Sequence, residues 1–291
     1  MYEIEAKTIL TPQNGFSIYR GDWGTCMVDQ SRAVNRGKVE KKEGIGVKKN
    51  ADVLLENALR KKKNRGMLVT GMTSDPYNEA EKELGILRKC LKVVERYDYG
   101  ITIRTGNELI LRDLDVLRGI QQKTKCIIMV PLCTMDEVLF EKIEGAALES
   151  RIRMIKELVR HEIPVELLLE PMIPMINDSE ENLDRILQFA YDSGVKMISD
   201  NNLRVSLPRG TREFFYESLQ SRFPEVYDAF LEEYGYATEV GLVKKEEFLR
   251  KIRKFCLEHH MMCDKVEIAD FKRRYENETE SVQMDFMSLL Q

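Results

Sequence analysis

The sequence lacks the features that define membrane and secreted proteins. No apolar run approaches the roughly 20 residues that cross a bilayer, since acids and prolines interrupt even the stretch VELLLEPMIPMI. The N-terminus, MYEIEAKTIL, has neither the basic start nor the apolar core of a secretion signal. These absences predict a cytoplasmic protein with no membrane-spanning segment.

An excess of one charge and closely paired cysteines are also missing. The 45 basic and 49 acidic residues leave a net charge of −4 over 291 residues, which argues against a general nucleic-acid coat. One basic cluster, at residues 60–63 with Arg65, departs from this balance. It could contact a phosphate backbone, but we favour its interpretation as a helix end whose cations the helix dipole stabilises. The six cysteines include no Cys-x-x-Cys pair, so no disulfide framework is predicted.

What the sequence does contain is an alternation of short apolar runs with amphipathic stretches. The runs that end in turn signals lie at 16–19, 66–72, 100–105, 126–132, 164–169 and 195–199. Apolar residues between them recur at three- and four-residue spacing, which predicts helices. Parallel strands need crossovers of this length, so the pattern predicts an α/β fold with six parallel strands.

The alternation stops near residue 211, and helical patterns dominate from there. We therefore predict two regions, a barrel-like region at 1–205 and a helical C-terminal extension at 206–291 packed on it. Residues 31–50 are polar and contain three glycines, which predicts a loop.

Several segments resemble, in order and spacing, the radical S-adenosylmethionine proteins related to spore photoproduct lyase. They lie at 14–21 (NGFSIYRG), 70–77 (TGMTSDPY), 111–113 (LRD) and 171–178 (PMIPMIND). The resemblance covers about residues 13–235 and implies a partial (β/α)6, TIM-like barrel with its site at the C-terminal ends of the strands. It also implies two cofactors, a [4Fe–4S] cluster on three cysteines and S-adenosylmethionine bound to the fourth iron.

The cluster motif is degenerate in this chain. The positions that family members fill with three cysteines fall on Asp22, Cys26 and Asp29. Thiolates hold iron–sulfur clusters, whereas carboxylate oxygens suit harder ions. We expect a stable cluster to have been lost. A cluster with unusual ligands, a divalent metal on these three side chains and an ordinary solvent-facing loop stay open as alternatives.

The S-adenosylmethionine site that the resemblance implies is altered as well. The residues expected at this site are Gly71, Met72, Thr73, Asp75 and Thr105. The lysine of a family Thr-Lys-Ser falls on Gly106, which removes a positive charge, and a family hydroxyl residue falls on Pro131. Residues 71–73 would contact the cofactor through their backbone, so residual binding of a nucleoside or another small molecule stays possible.

Two further clusters have a chemical and a structural interpretation. Asp75 and Glu81 could form a working carboxylate pair, or Asp75 could cap a helix while Glu81 lies on the surface. The Cys256-x-x-His259-His260-x-x-Cys263 pattern lies on one helical face, but a rise of 1.5 Å per residue separates its end cysteines by about 10 Å. One zinc ion needs every ligand at roughly 2.0–2.3 Å, so we interpret the pattern as a buried stripe.

Three hypotheses for function follow. The first is a radical S-adenosylmethionine-like protein that has lost its cluster and acts as a non-catalytic or regulatory scaffold. The second is an active lyase-like enzyme of that family with atypical cluster ligands. The third is an enzyme or binding protein that uses a divalent metal at the same loop. The substrate, any protein partner and the oligomeric state are not indicated by the sequence.

Overall fold

The computed structural model describes residues 1–21, 25–28 and 44–274. Its strands are β1 (Tyr2–Glu3), β2 (Tyr19–Arg20), β3 (Gly46–Val47), β4 (Met67–Thr70), β5 (Gly100–Arg104), β6 (Cys126–Pro131), β7 (Val165–Leu168), β8 (Met197–Ser199), β9 (Arg204–Ser206) and β10 (Glu239–Gly241). Its α-helices are α1 (Ala51–Lys61), α2 (Glu79–Leu84), α3 (Ile86–Arg96), α4 (Leu114–Lys123), α5 (Glu137–Glu144), α6 (Leu148–Arg160), α7 (Glu180–Asp192), α8 (Thr211–Arg222), α9 (Pro224–Tyr234), α10 (Lys245–Glu258) and α11 (Lys265–Arg273). Short 3-10 turns lie at Glu108–Asp113 and Asn201–Leu203. No helix in these ranges is both long enough and apolar enough to span a membrane.

A parallel sheet of five strands, in the order β4-β5-β6-β7-β8, forms the centre of the fold. One face of the sheet is covered by helices, and the side chains that point to it are buried: Leu68, Ile101, Ile103, Ile128, Val130, Leu167 and Ile198. Every strand of this sheet coincides with an apolar run in the sequence. The predicted α/β fold class is therefore confirmed.

The helices form where the apolar spacing predicts them. In α3 the buried residues recur every three or four positions, so one side of the helix packs against the sheet. Helix α7 begins after Ser179, whose hydroxyl accepts a hydrogen bond from the backbone N–H of Asn182, and Gly194 follows its end with φ +77°. Both boundaries of α7 thus carry residue types that favour helix ends.

The strand predicted at 16–19 joins the sheet only in part. Gly15 forms a single parallel bridge with Val69, and the N–H of Phe16 donates to the carbonyl of Val69 over 2.9 Å. The chain then leaves the sheet, and β2 pairs antiparallel with β3. The prediction of a sixth full strand was wrong, because the backbone groups of residues 18–20 bond to residues 46–48 instead of β4.

The C-terminal residues cover part of the other face of the sheet, which we call the inner face. Its members include Met67, Thr102, Ile127, Glu166 and Met197. Ile268 and Phe271 of α11 pack with Met67, Ile127 and Met197. These three are the first or second residues of their strands, so α11 covers the N-terminal part of the inner face.

Candidate functional site

The C-terminal edge of the sheet brings together the segments that follow β4, β5, β6 and β7. We call this edge the mouth and define it by Gly71, Met72, Thr73, Asp75, Arg104, Thr105, Pro131 and Glu170. Parallel strands expose their C-terminal ends on one side, which is why segments far apart in the sequence meet there. The five residues expected at a cofactor site all lie at this edge.

Asp75 is bound by donors of the chain itself. Its carboxylate accepts the hydroxyl of Thr105 at 2.7 and 2.9 Å, and the N–H groups of Gly106 and Tyr77 at 2.9 Å each. The nearby helix α2 begins later and is capped by Asn78. Asp75 therefore ties the segment after β4 to the segment after β5, and the helix entrance expected at this residue lies three residues further on.

The segment after β4 combines a close backbone contact with exposed side chains. Gly71 has φ +87°, and a Cβ atom there would lie closer than 3.0 Å to the carbonyl oxygen of Arg104. Only glycine meets both conditions. The next two residues point outwards, since Met72 is 54% exposed and Thr73 is also exposed. This segment can therefore contact a ligand at the mouth.

An ion pair crosses the mouth from β5 to the end of β7. The Nε and Nη2 atoms of Arg104 donate to Oε1 of Glu170 at 3.1 and 2.7 Å, and Nδ2 of Asn201 donates to Oε2 of Glu170 at 3.0 Å. The arginine side chain is 35% exposed. The sequence does not predict this pair, although the position of Arg104 at the end of a strand is a usable signal.

Cys26 lies against the C-terminal end of α5. The hydroxyl of Thr25 donates to the carbonyl of Glu144 at 2.6 Å, and the N–H of Met27 donates to the carbonyl of Ile143 at 2.9 Å. These bonds place the Cys26 thiol beside the Glu144 carboxylate. Burial, followed by the negative charge of Glu144, raises the pKa of the Cys26 thiol well above its usual range.

Glu144 also binds Arg151, a buried arginine of α6. Nη2 of Arg151 lies 3.2 Å from Oε2 of Glu144, Nε donates to the carbonyl of Gly106 at 2.9 Å, and Nη1 donates to the carbonyl of Pro131. A Cβ atom on Gly106 would lie 2.5 Å from Nη2 of Arg151, so the guanidinium fills the space in front of this glycine. Glu144 and Arg151 were not predicted as site residues, because neither belongs to a segment of the resemblance.

The described residues do not fit a [4Fe–4S] cluster. A cluster needs deprotonated thiols, and the thiol of Cys26 faces a carboxylate. Burial also raises the pKa of Cys133, a neighbour that influences Cys26 electrostatically. Asp22 and Asp29 lie outside the described residues, and within the described ranges no group of three or more His, Cys, Asp or Glu side chains is arranged to hold a metal ion.

Glu81 is neither at the surface nor joined to Asp75. Its buried carboxylate accepts the Tyr19 hydroxyl at 2.6 Å, Nη2 of Arg112 at 2.6 Å and the N–H of Leu87 at 2.7 Å. None of these donors binds Asp75. Both interpretations of Glu81 from the sequence were wrong, because its charge is balanced by Arg112, 31 residues away in the chain.

The histidine–cysteine pattern near the C-terminus spans the end of a helix. Helix α10 ends at Glu258, and the chain then turns so that the N–H of Met262 donates to the carbonyl of Lys196 at 2.8 Å. The assumption of one continuous helix was therefore wrong, and the thiols of Cys256 and Cys263 lie close enough to influence each other. Cys256 is buried and the His259 ring packs on Tyr191 and Phe255 with ring centroids 4.2 and 4.3 Å away, as expected of a packing stripe.

Solved structures of spore photoproduct lyase have the same fold as this chain. One mutant superposes with a TM-score of 0.64 at 11% identity, covering 89% of this chain and 78% of the lyase. A second mutant, with bound AdoMet and dinucleoside spore photoproduct, superposes with a TM-score of 0.62 at 12% identity and the same coverage. The resemblance seen in the sequence is thereby confirmed at the level of the fold.

Sequence comparisons give further relatives. Uncharacterized proteins of Mycobacterium bovis and Mycobacterium tuberculosis are each 24% identical over 193 residues, which is 65% of this chain. The match spans 56% of each relative, so the chain corresponds to little more than half of their length. No family model matches the chain.

Proposed function

We propose that this chain is a radical S-adenosylmethionine-like protein that holds no stable [4Fe–4S] cluster and acts as a binding or regulatory scaffold. The observation that carries the proposal is the contact of Cys26 with Glu144, which in turn binds the buried Arg151. Two of the three expected cluster ligands are aspartates, and the one remaining cysteine has a raised pKa.

The charges around Cys26 oppose the chemistry of a cluster ligand. A thiol that binds iron must lose its proton, and nearby cations promote that loss. Arg151, the cation that binds Glu144, also donates to two backbone carbonyls, so its charge is already balanced. Moving Glu144 away to admit a cluster would leave this buried arginine without its carboxylate.

The segments of the resemblance have structural roles that do not require a cofactor. Tyr19 of the first segment and Arg112 of the third meet on Glu81. The Asn177 side chain of the fourth segment accepts from the N–H of Ile173 at 2.6 Å and donates to the carbonyls of Cys133 and Pro171 at 2.9 Å each. These contacts explain how the fold persists while the cofactor positions differ.

A small molecule of the nucleoside class is the ligand that the proposal assigns to the mouth. A spore photoproduct lyase structure contains bound AdoMet and a dinucleoside. In this chain Met72 and Thr73 are exposed beside the mouth, and their backbone can contact a ligand without the side chains of the family motif.

Two measurements test the proposal. Under anaerobic reduction with AdoMet, we expect no 5′-deoxyadenosine above a control without protein, and formation of this product would support the enzyme alternative instead.

Calorimetry with AdoMet and with adenosine tests whether a nucleoside binds at the mouth. Binding should be lost in Met72→Arg and kept in Val138→Arg, an equally exposed position on α5. Absence of binding in the unmodified chain would refute the nucleoside assignment without affecting the cluster result.

A further inference from the structure

The turn at Asn201–Leu203, which follows β8, has an unusual backbone. Its three residues have φ values of +43°, +58° and +46°, and none of them is glycine. Left-handed conformations are costly for such residues, and they persist only where neighbouring groups hold them in place. Leu203 is buried, and its N–H donates to the carbonyl of Asp200 at 2.7 Å.

One side of this turn is held by the C-terminal helix α11. Lys265, the first residue of the helix, lies 3.3 Å from the Asp200 carboxylate and donates a hydrogen bond to the side chain of Asn202. Asp200 in turn accepts the N–H of Asn202 at 2.6 Å. The helix thus touches both the residue that starts the turn and the residue at its centre.

The other side of the turn is bound to the mouth. Asn201 donates to Glu170, which is the acceptor of the Arg104 ion pair. Lys265 has no hydrogen bond or ion pair to Glu170 or Arg104. The turn is therefore the element that connects α11 with the ion pair across the mouth.

Helix α11 also has its own contact with the inner face. Lys272 lies 2.5 Å from Oε2 of Glu166, a buried carboxylate of β7 whose other oxygen accepts the Ser199 hydroxyl at 2.6 Å. Nζ of Lys125 donates to the carbonyl of Phe271 at 2.9 Å. The helix is thus fastened at its first residue to the turn and near its last residues to the sheet.

We propose that α11 is a latch whose docking fixes the geometry of the mouth through the strained turn. With α11 docked, Lys265 holds the turn in its left-handed form, and Asn201 keeps Glu170 in place for Arg104. When α11 dissociates from the inner face, the turn leaves its left-handed conformation and Asn201 no longer donates to Glu170. The ion pair between Glu170 and Arg104 then becomes more mobile. A strained segment with two arrangements is the kind of element that couples distant sites.

Amide hydrogen exchange of the full chain tests this coupling. In Lys265→Glu, which repels Asp200, we expect the amides of Leu169 and Glu170 to exchange at least about fivefold faster, although Lys265 contacts neither residue. The matched control is Lys254→Glu, which reverses another exposed, paired lysine, on α10. This control should leave both amides unchanged.

A second variant separates strain from simple loss of a contact. Glycine adopts a left-handed conformation without strain, so Asn202→Gly should keep the turn formed without help from α11. In the Asn202→Gly background, Lys265→Glu should change exchange at the mouth less than about twofold. Faster exchange confined to residues 200–203 and α11, or an undiminished effect in the glycine background, would overturn the proposal.

Discussion

The reactivity of Cys26 depends on the charges around its sulfur. Because burial and Glu144 raise its pKa, the thiol keeps its proton at neutral pH, and the reactive thiolate forms only at higher pH. Glu144→Gln removes the negative charge and should lower the pKa. We expect alkylation of Cys26 by iodoacetamide at pH 8 to become roughly three- to tenfold faster, measured by peptide mass spectrometry.

The control for this prediction lies on the same helix. Glu141 is exposed on α5, so Glu141→Gln should leave the alkylation rate of Cys26 unchanged. Equal rates in the unmodified chain and in Glu144→Gln would show that the carboxylate does not govern the thiol. Thermal unfolding of both variants would show whether faster alkylation of Cys26 comes instead from a loss of packing around Arg151.

Gly71 gives a second prediction at the scale of one residue. Its positive φ and the nearby carbonyl of Arg104 leave no room for a methyl group. Gly71→Ala should lower the free energy of unfolding by at least about 2 kcal/mol, measured by urea denaturation. Gly66 has open space around it, so Gly66→Ala should have little effect. Equal losses in the two variants would contradict this account of Gly71.

At the scale of elements, a buried charge cluster joins β2, α2 and the 3-10 turn at Glu108–Asp113. Glu81 is fully buried, and Arg112 supplies its opposite charge. Arg112→Met would leave a buried carboxylate without that charge. We therefore expect the free energy of unfolding, measured in urea, to fall by at least about 2 kcal/mol. Arg153→Met removes an arginine from a solvent-exposed pair with Glu108 and should cause no measurable loss. Similar free energies of unfolding in the two variants would show that the buried pair of Glu81 and Arg112 does not stabilise the fold.

The elements show what a sequence can and cannot predict. Strands β4 to β8 were predictable because apolar runs bounded by turns leave a local signal. The burial of Glu81 was not, because its partner Arg112 is distant in the chain and the local pattern resembles an exposed helix turn. The same holds for Arg151 and Glu144, whose link to Cys26 exists only after α5 and α6 have packed at the mouth.

At the scale of the whole molecule, the resemblance predicted the fold. Its matching segments carry packing and hydrogen bonds, such as those of Tyr19, Arg112 and Asn177, so they report the architecture. The position of α11 on the inner face was not predictable, since it depends on contacts of Ile268 and Phe271 with strands more than 70 residues earlier. Function has to be argued from the mouth itself.

We propose that this chain holds no stable iron–sulfur cluster, and iron and acid-labile sulfide content after anaerobic reconstitution tests this proposal most directly. The unmodified chain should stay colourless and bind neither iron nor sulfide in stoichiometric amounts. The variant Asp22→Cys with Asp29→Cys separates two causes: cluster loading in this variant would assign the loss to the missing thiols, and failure to load would assign it to the contacts of Cys26 with Glu144. About four irons and four sulfides in each unmodified chain, with a broad absorption shoulder near ~400 nm, would contradict the claim.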